Sequence, residues 1–243
     1  MVRGLGTFIN VAVIVIGSLI GILAGTKLAA RTQELITDVL GLIVALAAVS
    51  ALSPLWSREF LAALPQGSSL LLILGALLLG GILGSALGLE DRLDSFGERL
   101  RVRFKADSAG NFVEGFVAAS LLFVIGPLAI LGSISDGMGE GIEQLLLKSA
   151  LDFFASMAFA STLGWGVAAS AIPVAIYQGL WTVAGFLIGE VLSPIQIDAM
   201  TICGGLMLIG ISLRLLNIKR IPVANLLPAL IIAPALVGLA SLL

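Results

Sequence analysis

The chain has 243 residues, of which 59% are hydrophobic and 12% are charged. Soluble domains are about 25% charged, and a soluble core of this size could not bury so much apolar surface. The composition therefore excludes a soluble globular protein and a disordered chain. The net charge of −2 gives no basic surface for nucleic acid, so we expect no nucleic-acid partner.

The sequence has no histidine and one cysteine, Cys203. These counts exclude histidine-based acid–base catalysis, most zinc sites and an intramolecular disulfide. No phosphate-binding loop or dinucleotide fingerprint is present either. We therefore expect a protein that is not an enzyme, with the lipid bilayer as partner, no metal, and no cofactor other than a coupling cation or proton.

Eight apolar segments are long enough to cross a bilayer, which takes about 20 residues. The fifth and sixth form one long segment that we divide at the turn Gly164-Trp165-Gly166; without this division the count is seven. The sequence thus predicts an all-α, polytopic transmembrane helical bundle in a single domain over residues 1–243. The predicted spans cover residues 7–26, 35–53, 68–89, 111–133, 145–163, 168–191, 197–213 and 221–243.

Lys and Arg collect in the cytoplasmic loops of membrane proteins. With the N-terminus outside and eight spans, ten of the thirteen basic residues lie in inside loops, whereas seven spans would place the cluster at 214–220 outside. Between the third and fourth spans, Leu93, Phe96, Leu100 and Phe104 recur at steps of three and four. This spacing predicts a cytoplasmic amphipathic helix over 90–107, which either anchors the loop in the membrane interface or docks a partner.

Small residues recur four apart in three spans, and this spacing lets helices approach closely. In the predicted topology the sixth span runs opposite to the first and third, as in the inverted repeats of secondary transporters. Chance repetition of a frequent residue is the alternative. The same small-residue faces favour a homodimer. The residues concerned are Gly17, Gly21 and Gly25, then Gly80, Gly84 and Gly88, then Gly185, Gly189 and Ser193.

Ionisable side chains inside apolar spans are costly and often functional. In the fifth span Lys148, Asp152 and Ser156 stand at steps of four, with Ser149 beside them. The i,i+4 spacing predicts an ion pair between Lys148 and Asp152. Such a pair either lines a path for a solute or ion, with Asp152 as the titrating carboxylate, or only fixes the helix at the interface.

The fourth span contains Gly126 and Pro127, which predict a break in the helix that either exposes a binding site or only kinks the span. Deep amides in other spans suit polar solutes and cations, but they serve equally well to join helices. The candidate residues for binding a solute or ion are Asn10, Ser133, Asp136, Lys148, Ser149, Asp152, Gln178 and Asn225.

Four segments, GTFINVAVIVIGSLIG, GPLAILGSISDGMGEG, KSALDFFASMAFASTLGWGV and NIKRIPVANLLPALIIAP, resemble one bacterial membrane-protein family, domain of unknown function 554. The resemblance implies a polytopic inner-membrane protein and a candidate transporter, and it carries over no binding residues. We expect a secondary transporter or channel for a small polar solute or ion, coupled through Asp152 or Asp136. The alternative is a non-transporting scaffold or sensor that acts through the 90–107 helix.

Overall fold

The computed structural model describes residues 2–27, 29–65, 67–103, 111–124, 127–188 and 192–241, and every regular element in these ranges is helical. Two short 3-10 turns, Ser53–Trp56 and Val223–Leu226, continue the second helix and precede the last. The α-helices are α1 (Leu5–Gly25), α2 (Ala30–Ala51), α3 (Arg58–Ala62), α4 (Ser68–Ala86), α5 (Leu89–Arg103), α6 (Asn111–Val124), α7 (Pro127–Met138), α8 (Glu143–Leu163), α9 (Trp165–Ala169), α10 (Ala171–Ile188), α11 (Pro194–Leu215) and α12 (Ala229–Ala240).

Seven segments of the described chain are long and apolar enough to cross a membrane, and α6 with α7 forms an eighth candidate that is bent by 62°. The predicted polytopic helical bundle is confirmed. The structure also divides the long apolar segment that holds the fifth and sixth predicted spans where the sequence predicts it, because α8 ends at Leu163 and Gly164 takes a positive φ of 68°. Of the two residues predicted to break the fourth span, Gly126 lies outside the described residues. Pro127 is the first residue of α7, where its missing N–H costs no helical hydrogen bond.

The contacts divide the chain into two compact units. Unit 1 comprises Met1–Leu40, Leu93–Val124 and Leu128–Val191, and within it α8 packs against α1 and α6. Unit 2 comprises Gly41–Arg92, Ile125–Pro127 and Leu192–Leu243, and within it α12 packs against α4 and α11. The single transmembrane domain and the inverted repeats stay predictions.

Helices α1 and α8 of unit 1 approach each other backbone to backbone. A Cβ atom at Gly21 would lie 2.1 Å from the Met157 carbonyl oxygen, and one at Gly25 would lie 2.2 Å from the Ser161 carbonyl oxygen. No side chain larger than hydrogen fits at these positions without moving the facing helix. Since Gly17 meets the Phe153 carbonyl oxygen in the same way, the contacts advance together along both helices, which therefore run parallel.

This parallel packing bears on how many times the chain crosses the membrane between α1 and α8. Two helices that cross in the same direction are separated by an odd number of crossings. Helices α2 and α4 are two candidate crossings, and α6 with α7 is the candidate for a third. With α2 and α4 counted as crossings, the parallel direction favours one broken span over a re-entrant loop, in line with the eight-span prediction.

The helix directions in unit 2 independently favour the same number of membrane crossings. Helix α4 runs antiparallel to the segment that leads into α12, because Gly80 meets Ala229 whereas Gly84 meets Asn225. In an eight-span chain α4 is the third span and α12 the eighth, and such a pair is antiparallel. If α6 and α7 formed a re-entrant loop, α12 would be the seventh span and would run parallel to α4.

The length of the broken span fits this topology. Helix α6 has 14 residues, which at the usual rise of an α-helix reach about 21 Å. Helix α7 has 12 residues and is tilted by 62° from α6. If α6 runs along the membrane normal, α7 therefore adds about 8 Å in that direction. Together they match the hydrocarbon thickness of about 30 Å.

Helix α5 forms where the amphipathic pattern predicts it, although residues 104–107 of the predicted segment lie outside the described residues. Its apolar side packs on α6: the rings of Phe96 and Phe116 are 5.8 Å apart, and Leu100 is buried. On its polar side, a hydrogen bond from Arg101 lowers the pKa of Glu98. Its position in the membrane interface stays a prediction.

Replacing Gly21 by alanine tests the α1–α8 contact. We expect Gly21→Ala to lower the stability in detergent by about 1–3 kcal/mol, because the new methyl group would overlap a backbone carbonyl. Gly179→Ala is the matched control, since no atom lies within 4 Å of a Cβ there, and its effect should stay within about 1 kcal/mol. Equal unfolding temperatures for the two variants would contradict the close packing.

Labelling of single cysteines tests the broken span. In a Cys203→Ala background, we expect cysteines at exposed Arg3 and Glu140 to react with an impermeant maleimide from the same side of the membrane, and a cysteine at exposed Lys27 to react from the other side. A position 140 that labels together with position 27 would make α6 and α7 a re-entrant loop.

Candidate functional site

Three helices of unit 1 bring four polar side chains together. Asp152 of α8 accepts hydrogen bonds from the Lys148 ammonium, at 2.5 Å, and from the amide Nδ2 of Asn10 on α1, at 3.0 Å. The same Nδ2 donates to Oε1 of Gln178 on α10, at 3.2 Å. All four side chains are at least nine-tenths buried. We call these residues, Asn10, Lys148, Asp152 and Gln178, the polar cluster.

The hydrogen bonds determine which way the two amides point. Asn10 must turn its NH₂ group toward Asp152, because an ionised carboxylate only accepts hydrogen bonds. That orientation leaves Asn10 Oδ1 and Gln178 Nε2 buried without a hydrogen-bond partner among the described residues. A buried polar group without a partner costs about 1–3 kcal/mol, so the polar cluster holds one acceptor and one donor that favour a polar ligand.

The Asp152 carboxylate of the polar cluster lies near the middle of α8. Asp152 is the tenth of the 21 residues of α8, which places it about 14 Å from the start of the helix. This distance is about half of the hydrocarbon thickness of 30 Å. Both interpretations of the pair of Lys148 and Asp152, as part of a path or as a salt bridge at the interface, stay predictions.

A second polar contact lies one helical turn away along α1 and α10. The hydroxyl groups of Thr7 and Thr182 are 3.0 Å apart, and both residues are only partly buried. Thr7 stands three residues before Asn10, and Thr182 stands four residues after Gln178. Polar groups thus continue from the polar cluster toward the end of unit 1 that holds the start of α1.

Asp136 of α7 lies at that end, where it binds backbone. Its carboxylate accepts hydrogen bonds from the N–H groups of Gly4, at 3.0 Å, and Thr7, at 3.2 Å. Helix α1 has Gly4 as its N-cap and no side-chain cap of its own. Asp136 therefore supplies from another helix the negative charge and the acceptors that a helix N-terminus favours.

The remaining predicted residues lie in different surroundings. Ser149 and Ser133 are buried, and the hydroxyl oxygen of each has no hydrogen-bond partner in the described part of the chain. Asn225 belongs to unit 2, where its Oδ1 accepts from the backbone N–H of Glu90 at 2.9 Å. Since this amide oxygen already serves the start of α5, we build the candidate site without Asn225.

The sequence analysis missed two features. The first is Thr7, which the sequence could have indicated: it stands three residues before Asn10, and this spacing places both side chains on one helix face. The buried ion pair of Arg214 and Glu90 in unit 2 (3.2 Å) has no local signal, because 124 residues separate its partners. Both of its residues stand in charged stretches that are typical of solvated loops.

An apolar cavity of about 550 Å³ lies elsewhere in unit 1. Its walls come from α1, α6, α9 and α10, and they include Val11, Phe112, Trp165 and Ile176. No member of the polar cluster lines it. The candidate site therefore rests on hydrogen-bonding groups and not on this cavity.

Removing the Asp136 carboxylate tests its role at α1. We expect Asp136→Ala to lower the stability by about 0.5–2 kcal/mol, as the loss of a helix cap does, and Asp136→Asn to cost less because it keeps an acceptor oxygen. Thermal unfolding in detergent measures both, with the exposed Glu140→Ala as control. If all three variants unfold at one temperature, Asp136 does not cap α1.

Seven candidate spans, an eighth candidate in the bent pair, and a buried, charged cluster among apolar helices define a multi-pass α-helical membrane protein. The chain belongs to the family described as protein of unknown function DUF554, whose family model matches residues 5–238. This confirms the resemblance found in the sequence.

Two relatives are similar over nearly their whole length. The chain is 29% identical to the uncharacterized membrane protein YdfK of Bacillus subtilis (strain 168), over 96% of this chain and 95% of that protein. It is 30% identical to the uncharacterized protein YqgA of Escherichia coli (strain K12), over 94% of each. No solved structure matches the chain.

Proposed function

We propose that the protein is a secondary transporter or channel that moves a small polar solute or ion through unit 1. The observation that carries the proposal is the polar cluster: an ion pair and two amides from three helices, buried among apolar helices, with two polar atoms that have no hydrogen-bond partner among the described residues. Charged groups at this depth are costly and mark substrate or ion paths.

The broken span supports the same proposal. Secondary transporters bind their substrates near the midplane and build these sites beside discontinuous helices. Here α6 ends at Val124 and α7 begins at Pro127, and Lys148 lies 5.9 Å from the ring of Phe123 near the end of α6. A change in the bend between α6 and α7 would therefore act directly beside the ion pair.

The energy source would be an ion gradient or the solute's own gradient, since the sequence contains no nucleotide-binding motif. We propose that the protein lies in the bacterial inner membrane with its N-terminus outside. The eight crossings derived from the helix directions then place ten of the thirteen basic residues on the inside, as the positive-inside rule favours.

Asp152→Asn tests the proposal in reconstituted liposomes. We expect the wild-type protein to take up at least one of three radiolabelled probes, sodium, rubidium or glycine, above the level of protein-free liposomes. Asp152→Asn should fall to that level while still folding, because the neutral amide no longer holds the Lys148 charge. The matched control is Asp91→Asn, at an exposed position in α5, which should transport normally.

Two results would contradict the proposal. Uptake by Asp152→Asn at the wild-type rate would remove the polar cluster from the path. Folded wild-type protein that moves none of the probes would favour the scaffold or sensor alternative, and removal of the charges of α5 would then test that role.

A further inference from the structure

Two amide side chains of the polar cluster each keep one polar atom unused. Asn10 and Gln178 are both fully buried, and they share one hydrogen bond, from Nδ2 of Asn10 to Oε1 of Gln178 at 3.2 Å. The other amide atoms, Asn10 Oδ1 and Gln178 Nε2, have no hydrogen-bond partner among the described residues. We call Oδ1 and Nε2 the two unused atoms. A ligand beside this pair therefore meets one uncharged acceptor and one uncharged donor.

The apolar cavity of about 550 Å³ begins close to the two amides. On α10, Ala171 and Ala175 line the cavity, and they share a helix face with Gln178 through steps of four and three residues. On α1, Val11 also lines the cavity and directly follows Asn10. The cavity thus starts within one helical turn of both amides, although neither belongs to its walls. An apolar space of this volume with a few polar groups beside it is typical of a small-molecule site.

We infer that unit 1 binds a small, uncharged primary amide, with its carboxamide group at Asn10 and Gln178 and its apolar part in the cavity. The inference rests on the proposed function and names the class of solute. The ligand N–H donates to Asn10 Oδ1, and the ligand carbonyl oxygen accepts from Gln178 Nε2. Binding makes only hydrogen bonds and apolar contacts, and no proton changes place.

The hydrogen-bonding capacity of a carboxamide matches the two side chains. A primary amide has two N–H donors and an oxygen with two lone pairs. When the hydrogen bond between Asn10 and Gln178 opens, the pair offers two acceptors, Oδ1 and Oε1. It also offers two donors, Nε2 and the Nδ2 hydrogen that Asp152 does not take. A ketone of the same size has no N–H and would leave both acceptors unused.

The electrostatics of the polar cluster favour an uncharged ligand. The Lys148 ammonium and the Asp152 carboxylate already neutralise each other at 2.5 Å. An ion would add a net charge to a buried site, and an uncompensated buried charge is strongly unfavourable. Asp152 is instead a positioning residue: it accepts from Nδ2 of Asn10, fixes the orientation of that amide, and so leaves Oδ1 to the ligand.

Matched ligands test the inference through thermal unfolding in detergent. Acetamide, propionamide and butyramide differ by one methylene at each step, and in 2-pentanone and butyrate a methyl group and a charged oxygen replace the NH₂ group of butyramide. We expect the half-saturating concentration of the amides to fall about fourfold per methylene, because each methylene enters the cavity. The ketone and the carboxylate should bind at least about tenfold more weakly than butyramide, since they donate no hydrogen bond.

Two variants separate the polar and the apolar part of the site. Gln178→Met removes both amide atoms at similar volume, so it should fold but no longer respond to butyramide, whereas the exposed Gln144→Met should respond as the wild-type protein does. Ala175→Leu fills part of the cavity and should bind butyramide no more tightly than acetamide. Its matched control is Ala150→Leu, at an exposed position of α8. The second variant tests the site even if the first does not fold.

Two results with the wild-type protein overturn the inference. Equal stabilisation by butyramide and 2-pentanone would mean that the cavity takes any apolar molecule and that the amides play no part. Folded protein that none of the three amides stabilises would mean that water alone serves the two unused atoms.

Liposome experiments separate a failure of this inference from a failure of the proposed function. Uptake of sodium, rubidium or glycine by a protein that binds no amide would overturn the inference and leave the proposed function standing. Amide binding without transport of any solute, including acetamide followed by stopped-flow swelling, would support the site and contradict the proposed function.

Discussion

The ion pair between Lys148 and Asp152 is the interaction on which the candidate site of unit 1 depends. Both side chains are less than a tenth exposed, and they lie in α8, which is long and apolar enough to cross a membrane. Taking two charges out of water costs several kcal/mol per ion, and their attraction offsets this only when further hydrogen bonds complete the geometry. Asn10 supplies such a bond from α1, so the pair can exist only where α1 and α8 lie close together.

The glycines of α1 make that closeness possible. With Gly17, Gly21 and Gly25 facing the backbone of α8, the two helices approach more closely than larger side chains would allow. The contact continues along α1 to Gly6, where a Cβ atom would lie 2.8 Å from the Leu145 side chain. The register of this contact carries Asn10 to Asp152, and the small residues of one helix thereby set the hydrogen bonds of the buried charge.

Much of this arrangement could be predicted from the sequence, because its causes are local. Long apolar runs indicated the spans, and the i,i+4 spacing indicated the pair of Lys148 and Asp152. What local patterns could not show is which helices meet. In the sequence Asn10 and Gln178 are two isolated amides, because 168 residues separate them. In the sequence Asp136 is a candidate ligand for a solute or ion, and nothing nearby indicates that it caps a helix 129 residues away.

The polar groups of unit 2 show by contrast why we place the site in unit 1. Both carboxylate oxygens of Glu90 have partners, the Arg214 guanidinium and the backbone N–H of Ala224, and the Glu90 N–H itself binds Asn225. These bonds fasten the start of α5 to the end of α11 and to the turn before α12, which is a structural task. In the polar cluster the bonds instead join side chains to one another and leave an amide oxygen and an amide N–H without hydrogen-bond partners among the described residues. Polar groups that bind the backbone hold a fold together, whereas buried side chains that leave donors and acceptors unused can take a polar ligand as partner.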